Sequence, residues 1–114
     1  EQEQLPTAME RSAELFSHIL AMPPDSVGIR QRLQAEMGLG MIQLLQGNGT
    51  EANGHFFTVL AHGDNEFMIE AQWYQSLAYL SEGQKNQAIK SLSALTRQKY
   101  MYRERAQSLL DDLE

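Results

Sequence analysis

Three histidines, fifteen carboxylates and no cysteine are the titratable groups from which this 114-residue chain could build chemistry. His55 and His62 lie seven apart, two turns on one helical face, with Glu51 one turn before and Asp64 just after, a donor set that zinc or copper could use. Metal sites built on one helix use spacings of three or four, so two unrelated histidines on a polar face is the better reading, and no metal is expected. His18 has no such partner nearby. A general acid and base would need two carboxylates held in a cleft; here the acids are dispersed singly except Asp111-Asp112, which read as a solvated terminus. No Gly-x-Ser-x-Gly turn or Ser-x-x-Lys motif occurs, and Gly38-Leu39-Gly40 and Gly47-Asn48-Gly49 lack the further glycines and the lysine of phosphate-cradling loops. The expectation is a protein without catalytic activity or cofactor. A metal-dependent enzyme built on the His55 and His62 face is the distant alternative.

Charge is distributed unevenly. Residues 85–105 hold Lys85, Lys90, Arg97, Lys99, Arg103 and Arg105 against Glu104, a net of +5, whereas the first 84 residues hold 3 basic and 11 acidic side chains, a net of −8. A basic stripe with Tyr100 and Tyr102 interleaved could receive nucleic acid or an acidic peptide, but the plainer reading is a solvated helix face followed by a loop. The overall −6 opposes phosphate backbones and anionic membrane surfaces, and no nucleic-acid partner is expected. With zero cysteines a disulfide framework is excluded and the redox compartment is undetermined. The chain starts Glu1-Gln2-Glu3-Gln4 without methionine or signal pattern, so it reads as an excised piece, and any membrane attachment would come through an upstream segment.

Residues can do chemistry only where elements hold them, and the elements here read as helices. Breakers at Pro23-Pro24-Asp25, Gly47-Asn48-Gly49, His62-Gly63-Asp64 and Glu82-Gly83-Gln84 separate segments rich in Ala, Leu, Gln, Glu and Met. Thr7 with Glu10, and Asn48 with Glu51, have the spacing of capping boxes, and Asp64 is a candidate N-cap behind Gly63 as a C′ residue. The reading is a flexible extension over 1–6 and one all-α domain over 7–114. Six helices are expected, at about 7–21, 26–46, 49–62, 65–82, 85–98 and 102–113. A chain that is 42% hydrophobic supports one core of this size.

Laid on itself with an offset of 36, the chain repeats. Leu33 falls on Ile69, Ala35 on Ala71, Met37 on Trp73, Met41 on Leu77, Leu44 on Leu80, Gly47 on Gly83, Ala52 on Ala88, Phe56 on Leu92 and Val59 on Leu95. The apolar members recur at helical spacing, so each unit, about 26–62 and 65–98, is a helical hairpin joined at a glycine. The next shift puts Leu109 and Leu113 under Trp73 and Leu77; the reverse shift puts Phe16 under Ala52. These flanking helices read as halves of adjoining units.

Leu39-Gly40, Gly47, Ala52 and Phe56, followed by Tyr79, Gly83 and Ala88, resemble the tetratricopeptide repeat. Departures are the period of 36, Ser76 in place of the small glycine, Leu92 in place of the aromatic, and no proline after Leu95. The resemblance implies a right-handed solenoid of helical hairpins and a non-catalytic interaction scaffold. It also implies a groove lined by the first helix of each unit: Gln34, Met37, Met41 and Leu45, then Glu70, Trp73, Leu77 and Ser81. Met37, Met41, Trp73 and Leu77 are equally the apolar stripe from which a core is made. The partner implied is a peptide or protein; tail-carboxylate clamping is not expected, since Met37, Met41 and Tyr74 occupy the clamp positions. The alternative is a self-assembly module forming a homodimer. Glu70 to Leu95 also resembles repeat domains behind the membrane anchor of bacterial cell-envelope proteins, which implies that compartment.

Overall fold

A computed structural model of the chain describes residues 7–63, 65–97 and 102–113. The extension over 1–6, Asp64 as an N-cap, and the segment 98–101 with Lys99 and Tyr100 lie outside the described residues. The protein is all-α: α1 (Ala8–Ala21), α2 (Ile29–Leu45), α3 (Gly49–Ala61), α4 (Met68–Ser81), α5 (Lys85–Thr96) and α6 (Tyr102–Leu113), with a short 3₁₀ turn at Pro24–Ser26 between α1 and α2. That turn ends at Ser26, and α2 starts at Ile29 and not at 26: Gly28 is its N-cap, and the Gly28 N–H donates to Gln31 Oε1 at 2.8 Å.

The two hairpin turns are the same object. Gly47 and Gly83 have φ of 83° and 74°. In each turn the glycine N–H donates to the residue three before it (Leu44 and Leu80, both 3.1 Å), and the next N–H reaches back five residues, from Asn48 to Gln43 and from Gln84 to Tyr79, both 2.8 Å. This is the Schellman closure, which needs the left-handed conformation that glycine adopts without strain. The 36-residue period is therefore visible in the backbone hydrogen bonds as well as in the side chains.

Caps come from further away than the sequence suggests. Thr7 and Glu10 do form a capping box at α1, with reciprocal bonds of 3.1 and 3.2 Å. The Asn48 and Glu51 box is a correction: the Asn48 amide donates to Gln43 Oε1 at 2.8 Å and makes no cap bond. Glu82, 32 residues beyond Thr50, instead accepts from the Thr50 N–H at 3.1 Å. Its negative charge lies at the positive end of α3, where the helix dipole favours it. At the other polarity, the Arg32 guanidinium donates to Met22 O at 2.8 Å beyond the C-terminus of α1. The start of α4 is shaped by Asn65, whose Oδ1 accepts from Phe67 N–H at 2.8 Å.

Each helix packs on its chain neighbours; α2 also touches α4, and α4 touches α6, whereas α1, α3 and α5 do not touch one another. The molecule is flat, 49 × 41 × 20 Å with a radius of gyration of 15.6 Å. A globule of this length would have about 13 Å, and 20 Å is two helices thick. Its core is accordingly two clusters in series. Leu33, Met37, Ala52, Phe56, Val59, Ala71 and Ala78 form the first, and Leu92, Leu95, Ala106 and Leu110 the second.

Large and small side chains trade places between units. A Cβ on Gly40 would lie 2.5 Å from the Phe56 ring, so Gly40 lets that ring rest on the α2 backbone. Ser76 and Leu92 hold the matching positions in the second unit, and both are fully buried. Across the units a shorter side chain at one position accompanies a larger one at the other, so the two departures compensate in volume. Phe16, too large for a small-residue position, is accommodated in the same way by Gly38, which its ring overlies.

Candidate functional site

The eight expected groove residues do not share one surface. Met37 is 3% exposed and belongs to the first core cluster beside Phe56 and Ala52; its assignment to the groove is corrected, because α3 and α4 close over it. Gln34 is exposed on α2, and Glu70 is half-buried on α4. Ser81 is exposed, and its hydroxyl donates to Ala78 O at 2.8 Å.

Met41 and Leu45 line an apolar depression of about 330 Å³ between α1 and α2, whose other walls include Met9, Phe16 and Ile42. Leu45 is 75% exposed there. Trp73 and Leu77 line a second depression, about 380 Å³, between α4 and α6, completed by Arg105, Ser108, Leu109 and Asp112. Trp73 is half-buried: it packs against the second core cluster on one side and forms groove floor on the other. A large ring on a thin molecule spans from the core to the surface, so Trp73 meets the cluster on one face and the depression on the other.

The α4 and α6 groove is built by aromatic stacking. The Trp73 and Tyr102 rings stack at 5.5 Å between centroids, and the Arg105 guanidinium lies 5.8 Å from the Tyr102 ring. Offset stacking and a cation over a ring each favour this order. The Tyr102 phenol is pushed above its ordinary value chiefly by burial, then by Tyr74 and Glu70, with Arg105 opposing. Sequence reasoning found Trp73 and Leu77 but did not place Arg105, Leu109 and Asp112 opposite them. The signal was present, because the 36-residue shift sets Leu109 under Trp73.

The histidine pair separates. His55 turns to α2, with Nδ1 2.7 Å from Glu36 Oε2, while His62 is exposed at the end of α3. Among the described residues no three His, Cys, Asp or Glu side chains gather as metal ligands. Of the basic stripe, Lys85, Lys90, Arg97, Arg103 and Arg105 are exposed on α5, α6 and the turn after α5. Two buried oxygens, Asn53 Oδ1 and Gln72 Oε1, have no hydrogen-bond partner among the described residues. No helix among the described residues is long and apolar enough to cross a membrane. Compared with known proteins, the chain matches no family model, no curated protein and no solved structure.

Proposed function

We propose that the chain is a non-catalytic, tetratricopeptide-like interaction scaffold that binds a peptide or protein segment in the groove between α4 and α6. The observation that carries this reading is the floor of Trp73, Leu77 and Leu109, open to solvent and bordered by Arg105 and Asp112. An indole beside two leucines offers a desolvated anchor for an apolar side chain, and charged borders supply specificity; interfaces concentrate their energy in such aromatic centres. The contacts of α2 with α4 and of α4 with α6, set against the separation of α1, α3 and α5, support a curved solenoid with the even-numbered helices on its inner side.

A second reading, self-assembly, draws on the depression between α1 and α2, where Leu45, 75% exposed, would be covered by another copy.

The test is selection from a random peptide display library on the immobilised chain. Selected peptides are expected to shift the emission of Trp73, the only tryptophan. They are also expected to lose binding on Leu77→Asp while the helical circular dichroism persists. Peptides that bind without moving Trp73 emission and are indifferent to Leu77→Asp would remove the groove assignment. A chain that is dimeric by light scattering, and becomes monomeric on Leu45→Asp, would favour the second reading.

A further inference from the structure

Arg105 and Asp112 are seven residues apart on α6. Seven residues are two helical turns, about 10 Å of rise, so both side chains project from the face that carries Ser108 and Leu109, one at each end of the groove. Neither is in an ion pair among the described residues, in contrast to Arg30 with Glu66 and His55 with Glu36. Among the described residues the Arg105 guanidinium lies over the Tyr102 ring, a contact that leaves its donors for a carboxylate. The groove thus has an apolar middle, Trp73, Leu77 and Leu109, between a free cation and a free carboxylate.

On this groove reading, we infer that the occupant is an amphipathic helix of a partner protein with opposite charges seven residues apart and apolar side chains three and four positions after the first. A helix laid along α6 repeats the 10 Å spacing, so its carboxylate meets Arg105 and its lysine or arginine meets Asp112 in one pose. Its apolar residues then fall on the Trp73 floor, the arrangement by which grooves receive amphipathic helices. An extended segment matches less well: residues on one face recur every two positions, about 6.6 Å, which misses 10 Å by several ångströms at one or two repeats. Helices with two like charges are rejected, because one end always meets its own sign. The pattern fits in either chain direction, so acid first and base first are equivalent.

Three alanine-based helical peptides test this, each with leucines at the two middle positions and with Glu and Lys, Glu and Glu, or Lys and Lys at the outer positions. The mixed peptide is expected to bind about fivefold or more tightly than either like-charged one at low salt, with the preference shrinking at high salt. Arg105→Glu should transfer the preference to the Lys and Lys peptide, and Asp112→Lys to the Glu and Glu peptide. Both residues are exposed; Asp112→Lys is expected to melt as the parent does, Arg105→Glu to lose its contact with the Tyr102 ring while keeping the helical circular dichroism, and Asp112→Lys serves as the folding control. Equal binding of the three peptides with Trp73 emission still shifting would overturn the charge pattern and leave the groove standing. No shift with any of them would overturn both. Self-association that buries Trp73, seen by sedimentation together with loss of iodide quenching, would assign the groove to a second copy and also overturn the inference.

Discussion

Phe56 shows how much a single position is constrained by its opposite number. Its ring occupies the space that a Cβ on Gly40 would need, while the second unit has Leu92 and Ser76 at the corresponding positions, both fully buried. Gly40→Ser alone should overpack this contact and cost about 1–2 kcal/mol, and Phe56→Leu alone should leave a void at about the same cost. The double variant recreates the second unit's pair, so its loss should fall short of the sum by about 1 kcal/mol; urea denaturation of the four proteins measures that coupling. Strict additivity would mean that the two sites do not communicate. Tyr102 carries a pH prediction. Its folded-state phenol is raised, mainly by burial, so the folded chain binds the proton more tightly than the unfolded one. The stability linked to it is fully present below the unfolded value of about 10 and is lost as pH rises through the higher folded value. Phenolate absorbance should show a late-ionising phase, and Tyr102→Phe should remove it.

Helices here are closed by residues belonging to other helices. Glu82 sits at the C-cap of α4 and accepts from Thr50 N–H at the start of α3. One side chain thus ties two elements together, and Glu82→Ala should cost about 1 kcal/mol, the scale of an N-cap. Thr50 N–H should exchange with solvent faster in that variant, which amide exchange can read directly. Gly83→Ala should cost a similar amount, about 1 kcal/mol, because its φ of 74° is strained for alanine. A gain in melting temperature would instead mean that α4 and α5 had merged. Gly49 is constrained for another reason: its φ is not in the left-handed region, but Ser81, Glu82 and the Ala78 carbonyl leave no room for a Cβ.

At the scale of the whole molecule, two core clusters in series make stability local. The second cluster holds α5 and α6, with Ile69, Trp73, Ile89, Leu109 and Leu113 packed around it. Leu110→Ala, at a position 5% exposed, should cost about 2–5 kcal/mol. Hydrogen exchange should show that loss in α5 and α6 before α2 and α3, as expected where each unit contacts only its neighbours. Uniform loss across all six helices would mean one cooperative core. The period of 36, the hairpin glycines, the buried Ala52 and Ala88, and the all-α class were legible in the sequence, because they follow from backbone geometry and from the spacing of apolar residues along a helix. Asn48 was misread because a cap is chosen by whichever acceptor arrives, and Glu82 arrives from the neighbouring hairpin. Met37 and Met41 were indistinguishable in sequence, one turn apart on the same apolar stripe. Only the packing of α3 and α4 on one side and α1 on the other buries the first and leaves the second, packed against the same cluster, to line the depression beside α1 as well. The same holds for Trp73: periodicity sets the face on which a side chain stands, but what covers that face depends on residues far away in the chain, here Tyr102, Arg105, Leu109 and Asp112.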